Sequence, residues 1–150
     1  MKPAMDEAMI DLGHADTDAE IAACFTVVRQ LRPHVTDVAA MVAQVRRQQR
    51  QGYRILAARS GTEVLGIAGY RLTENLISGR FVYVDDLAVA EGCQHGGIGA
   101  KLLDAVAQEG VAAGCRRLVL DTAVANAQAQ RFYFREGLLL VAFHFARPLV

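Results

Sequence analysis

Between Phe81 and Leu103 the chain reads FVYVDDLAVAEGCQHGGIGAKLL. This stretch narrows the choice of fold more than any other. It predicts a strand over Phe81–Val89, a tight Gly-rich turn over Gln94–Gly99, and a helix that starts as the glycines end. A strand that runs straight into a helix leaves several backbone N–H groups of the first turn without intrahelical partners. The helix dipole adds partial positive charge at the same place. Such a turn suits an anion, most often a phosphate. Gly96, Gly97 and Gly99 lack the Cβ atoms that would hold a ligand's phosphates away from the backbone. Two common phosphate motifs are excluded. There is no Gly-x-x-x-x-Gly-Lys-Ser/Thr, and Gly96-Gly97-x-Gly99 lacks the spacing of the dinucleotide fingerprint.

Ahead of this stretch, Ala8–Gly13 reads as a short apolar strand. Thr17-x-x-Glu20 forms a capping box, and Ile21, Cys24, Phe25, Val28 and Leu31 recur at helical spacing up to Pro33. A second helix starts near Thr36 or Asp37, with Val38, Met41, Val42 and Val45 on one face. Its tail carries Arg46, Arg47 and Arg50, with Arg54 just beyond, and reads as a solvated face rather than an anion patch. Gly52 ends it. Tyr53–Arg59 and Glu63–Leu72 form a hairpin across Ser60-Gly61-Thr62. Gly66 and Gly69 inside the second strand predict a bulge or a closely packed neighbour. Thr73–Gly79 is a polar turn.

After the turn, Ile98, Leu102, Ala105 and Val106 face the sheet from a helix ending at Gly114. Arg117–Asp121 is the next strand, parallel to Phe81–Val89 because a strand–helix–strand crossover joins them. Asn126 caps a further helix that Gly137 closes. Leu139–Arg147 reads as a last strand. The fold class is α+β: a mixed sheet, antiparallel at first and parallel at the central pair, in one domain spanning residues 1–150.

Equal numbers of basic and acidic residues, 16 each, give no argument for nucleic acid or an anionic membrane surface. No apolar run reaches the length of a membrane-spanning helix. Met1–Asp11 carries acids and lacks a signal peptide's apolar block. Cys24, Cys93 and Cys115 follow neither a disulfide framework nor metal-ligand spacing, so no metal is expected. These features suit a reduced, cytoplasmic protein.

Two segments carry a family resemblance. Leu87-Ala88-Val89 followed by Gln94-His95-Gly96-Gly97-Ile98-Gly99-Ala100 resembles the acyl-CoA signature of the GNAT superfamily of N-acetyltransferases. Asn126-Ala127-Gln128-Ala129-Gln130-Arg131-Phe132-Tyr133-Phe134-Arg135-Glu136-Gly137-Leu138 resembles the second conserved element of that family. The resemblance covers the C-terminal half. The N-terminal half fits only in its pattern of elements.

The resemblance implies a GNAT-like sheet with helices on both faces, and acetyl-CoA as co-substrate. Its pantetheine arm would pair with Leu87, Ala88 and Val89. Its pyrophosphate would rest on the amides from Gln94 to Ala100, with Asn126 also at the cofactor. Family members often carry Arg in this turn, whereas Gln94 and His95 bring no permanent charge. Tyr133 stands at the family's general-acid position. Phe132 is the aromatic expected in the core, since three consecutive helical residues cannot share a face. Asp85 and Asp86 are adjacent acids in an apolar strand, one expected on each side of the sheet unless a bulge intervenes. Asp85 is the first candidate to accept the amine proton, and Asp86 is the second or a substrate anchor; both could instead simply pair with arginines. His144 reads as structural. The family usually ends in two strands where only one is legible here, so the open edge predicts a homodimer through the C-terminal strand. The expected activity is acetyl transfer to a small-molecule primary amine. A non-catalytic acyl-CoA-binding or regulatory domain and a protein N-terminal or lysine acetyltransferase are the alternatives.

Overall fold

The computed structural model describes residues 9–150. Along the chain lie β1 (Asp11–His14), α1 (Asp18–Ala23), α2 (Phe25–Leu31), α3 (Val38–Gln49), β2 (Tyr53–Ser60), β3 (Glu63–Asn75) and β4 (Gly79–Val89). They are followed by α4 (Ile98–Ala112), β5 (Leu118–Leu120) and α5 (Ala127–Arg135). The strands form one sheet in the order β1-β2-β3-β4-β5. The first three pairings are antiparallel, and β5 runs parallel to β4. The chain clusters into two compact units, one ending at Val119 and the other Leu120–Val150.

In the first unit, Thr17 caps α1. Its side chain accepts from the Glu20 amide at 3.1 Å while the Glu20 carboxylate accepts from the Thr17 amide at 3.0 Å, which completes the capping box. The single helix expected over 18–31 is two. The chain tightens at Cys24, whose amide bonds Ile21 O at 3.0 Å, and α2 restarts immediately. The break is compatible with burial, because Ile21, Cys24 and Val27 all reach the interior. Burial pushes the Cys24 thiol up to about 11, so it behaves as a small apolar residue. Asp37 caps α3 by accepting from Ala40 N at 3.0 Å. Arg46 and Arg54 pair with Asp18 and Asp16 at the surface, as a solvated face requires. The first strand begins at Asp11; Ala8, where it was expected to begin, lies outside the described residues.

One core lies between α1–α3 and the sheet, with Met41, Val45, Tyr53, Ile55, Ala57 and Ile67 at its centre. On the opposite face α4 buries Ile98, Leu102, Leu103, Val106 and Gly110. Both faces of the sheet are therefore covered. Here His14 Nε2 meets the Tyr70 hydroxyl at 2.8 Å, tying β1 to β3 across β2. Burial, then the nearby Arg54, lowers the His14 pKa. Among the described residues no helix is long and apolar enough to cross a membrane.

In the second unit, Asn126 caps α5 by accepting from Ala129 N at 3.1 Å, and Gly137 takes φ +87° just past its end. The strand expected over Leu139–Arg147 does not form: residues 138–150 carry no regular secondary structure. A strand exists only through a hydrogen-bonded neighbour. Without one, Leu139 is 79% exposed and Phe145 is 91% exposed.

Candidate functional site

β4 brings the candidate residues to the sheet, and an irregularity in its ladder decides where they point. Gly69 on β3 pairs with Asp86, but its neighbour Tyr70 pairs with Val84. Asp85 is thus an extra residue, a β-bulge. In an unbroken strand Asp85 and Asp86 would face opposite sides. Here both turn to the α1–α3 face, which corrects the expectation of one acid on each side. Leu87 and Val89, opposite Ala68 and Gly66, lie on the α4 face, where a Cβ on Gly66 would touch Ile98 and Leu102. Asp85 therefore does not share their face.

Each acid has an arginine. The Arg71 Nε donates to both Asp85 oxygens, at 3.0 and 3.2 Å. Arg71 is itself held by Gln51 Oε1 at 3.1 Å and by the Tyr53 ring, 5.5 Å from its guanidinium carbon. Burial raises the Asp85 pKa, and the hydrogen bond and charge of Arg71 oppose that rise. Asp86 accepts from the Tyr53 hydroxyl at 2.7 Å and from Arg32 Nε at 3.1 Å. Burial, reinforced by the Asp86 carboxylate, raises the Tyr53 phenol well above its usual value, so it stays a proton donor. Gly69 makes this contact possible. A Cβ there would fall on the hydroxyl and ring of Tyr53, which instead lies across the bare backbone. The two glycines singled out in β3 thus serve two closely packed neighbours, Tyr53 on one face and α4 on the other. Tyr53, Arg71 and Arg32 gave no functional signal in sequence. They are recognised only by what they touch.

The Gly-rich turn follows β4. His95 has φ +68° and Gly97 φ +81°. Left-handed residues alternating with others along the chain point successive amides to one side, forming an anion-binding concavity. For His95 that backbone is uncommon and carries a strain cost. Gly97 stands at the N-cap of α4 and contributes no side-chain cap. The first donor in this region that bonds back is Lys101 N, to Gly97 O at 3.1 Å. Among the described residues no oxygen of the protein accepts from the backbone amides of Gln94, His95, Gly96, Gly97, Ile98, Gly99 or Ala100. Glu91, Gly92 and Gln94–Gly97 are exposed.

In its second half β4 turns alternate backbone groups toward and away from β3. Ala90 N bonds Leu65 O at 2.7 Å. By antiparallel alternation, the amides and carbonyls of Leu87 and Val89 point away from β3 while those of Ala88 point toward it. On the far side, the hydrogen bonds to the chain entering β5 lie near the start of β4, from Val82 N to Arg117 O and from Arg116 N to Arg80 O, both 2.9 Å. β5 stops after three residues.

Within the second unit, Tyr133 lies on α5 with Phe132 beside it, ring centroids 5.4 Å apart. Burial raises the Tyr133 pKa, and among the described residues its hydroxyl has no hydrogen-bond partner. Phe134 is exposed. Asn126 spends its side-chain oxygen on the cap of α5. His144 Nδ1 lies 2.9 Å from Asp121 Oδ2 at the surface.

The profile of the Acetyltransferase (GNAT) family matches residues 17–137. Among solved structures, the chain is similar to the aminoglycoside N-acetyltransferase AAC(6')-Iy in complex with CoA. That likeness covers all of both chains at 18% identity and a TM-score of 0.83. It is also similar to an aminoglycoside acetyltransferase from an uncultured soil metagenomic sample in complex with sisomicin, at 16% identity and TM-score 0.78, over 96% of this chain and 99% of that one. An integron cassette protein from the mobile metagenome of V. cholerae matches at 19% identity and TM-score 0.78, over 94% of each chain. These likenesses establish the fold. No curated protein matches the chain.

Replacing Gly69 by Ala is expected to push the Tyr53 phenol off Asp86. A hydrogen bond to a charged group contributes about 1.5–3 kcal/mol, so Gly69→Ala should lose at least that much in urea unfolding, and Tyr53→Phe a comparable amount. Near-additive losses in the double variant would show that the two residues do not share one contact.

Proposed function

The chain is a member of the GNAT acetyltransferase family, and on that footing we propose that it moves an acetyl group from acetyl-CoA to a primary amine. The acceptor in this reading is a cationic small molecule that attacks directly in a ternary complex, and the chain acts as one acyltransferase domain. The observation that carries the reading is the row of amides from Gln94 to Ala100, left free by the protein's own oxygens at the start of α4. Diphosphate oxygens are the groups such a row accommodates. Gln94 and His95 bring no permanent charge, so backbone dipoles supply most of the attraction. The outward amides and carbonyls of Leu87 and Val89 suit the pantetheine amides, which pair with them as an added strand; Ala88 lies between them. Asn126 keeps its side-chain N–H groups for the cofactor.

Transfer needs an oxyanion donor, a base and an acid. Leu87 N–H, pointing away from β3, is the donor for the charge that develops on the carbonyl oxygen. Asp85 accepts the proton of the incoming ammonium. Its raised pKa makes it a stronger base than an ordinary carboxylate. Asp86 anchors the acceptor. Tyr133 donates its phenolic proton to the departing thiolate; burial raises its pKa, so the phenol is protonated and able to donate. Two carboxylates on one face favour a cationic acceptor, in keeping with relatives that bind aminoglycosides. We place the protein in the cytoplasm, where its free cysteines stay reduced.

The exposed apolar tail supports a homodimer through residues 139–147. Leu139, Phe143 and Phe145 are largely exposed, and a second copy would offer them a strand partner.

Tyr133→Phe should lower thiol release about 10²–10⁴-fold across an amine panel while acetyl-CoA binding survives. Binding without thiol release from any amine in the wild type would make this a non-catalytic acyl-CoA-binding domain. Preference for peptide amines would make it a protein acetyltransferase. Because Asp85 acts only when ionised and its pKa lies above the ordinary 3.8, kcat should rise with pH through an acid limb above that value, and Asp85→Asn should abolish that limb. In sedimentation the wild type should be a dimer, and the Phe143→Lys, Phe145→Lys double variant a monomer.

A further inference from the structure

The two arginines on the acid pair are held very differently. Arg71 is clamped on three sides, by Asp85, by Gln51 and by the face of a Tyr53 ring that is itself 4% exposed. Arg32 reaches the pair from the end of α2. Pro33 prevents the helix from continuing, and Arg32 leaves helical geometry at φ −124°, ψ 76°. Its Nε donates to Asp86 Oδ1 at 3.1 Å and its terminal nitrogen to the Asp85 carbonyl at 3.0 Å. That carbonyl belongs to the bulge residue, which has no register partner on β3. The Arg32 side chain is 44% exposed, against 20% for Asp86. Charge-assisted hydrogen bonds to one carboxylate oxygen and one carbonyl are also what an alkylammonium group makes. Of the two cations on the acid pair, Arg32 is therefore the more exposed, held by these two hydrogen bonds without the clamp that fixes Arg71.

We propose that Arg32 is a displaceable counter-ion that stands in for the acceptor's ammonium group, so that Arg32 sets affinity and selectivity on the acceptor side. This rests on the acetyltransferase reading above. The acceptor enters as an ammonium ion and takes over Asp86 Oδ1 and the Asp85 carbonyl as the guanidinium swings into solvent. Its proton then passes to the Asp85 carboxylate before attack. An exposed ion pair is weak enough to be exchanged in this way. Until a cation arrives, Arg32 keeps both oxygens partnered. A neutral acceptor cannot replace it and meets an occupied site. Arg71 stays in place throughout, because breaking its clamp would strand a half-buried carboxylate.

The test compares wild type, Arg32→Gln and Arg32→Lys with an alkyl diamine and a neutral arylamine as acceptors. Removing the competitor should lower KM for the diamine about two- to fivefold, the range an exposed ion pair spans, with KM for acetyl-CoA as the internal reference. Arg32→Lys should return toward wild type, and added salt should narrow the difference. A diamine KM that rises or stays level in Arg32→Gln, or an equal change for the arylamine, overturns the proposal. A second readout needs no turnover. Diamine titrated into the full-length wild type should shift the Arg32 Nε–H NMR signal, assigned by its loss in Arg32→Gln, while that of Arg71 holds. A shift without thiol release upholds the displacement and removes the catalytic reading. Thiol release without a shift does the reverse.

Discussion

A strand cannot turn two neighbouring side chains to the same face while its ladder is unbroken. The extra residue at Asp85 breaks it, and the acid pair depends on that break. Once both carboxylates lie on the α1–α3 side, they need donors there. Tyr53, Arg71 and Arg32 supply them from β2, β3 and the end of α2. The bare backbone at Gly69 lets the Tyr53 ring lie flat enough to reach Asp86. A half-buried carboxylate without such partners would carry a heavy desolvation cost. The same bulge frees the Asp85 carbonyl, which Arg32 takes up. Packing, polar satisfaction and charge placement thus come from one inserted residue.

At the entry to α4, among the described residues, a run of backbone amides is left unbonded. Helix starts are usually capped by a side chain, and α1 and α3 obey that habit through Thr17 and Asp37. Helix α4 departs from it, with Gly97 at the cap position and a row of free donors before Lys101. Holding His95 at positive φ carries a strain cost.

Local signals in the sequence were reliable where the physics is local. The capping box at Thr17 and Glu20, the caps at Asp37 and Asn126, the stop at Gly137 and the Gly-rich entry to α4 each depend on residues within a few positions of one another. The break at Cys24 between α1 and α2 leaves the periodicity of one amphipathic run almost intact, so spacing does not reveal it. The alternation in Leu139–Arg147 describes what the segment can pair with, whereas a strand needs the partner itself, and residues 138–150 form none.

By itself the sequence determined the order of elements from α3 to α5, the Gly-rich turn that enters α4, the adjacency of Asp85 and Asp86, and membership of the acetyltransferase family. Those properties follow from spacing along the chain. Only the tertiary structure decided that the two acids share a face, that Tyr53 lies over Gly69 to hold one of them, and that of two arginines one is clamped and the other exposed. These are contacts between residues 14 to 54 positions apart. Register and burial across the sheet govern them, and neither is written in the neighbourhood of any one residue.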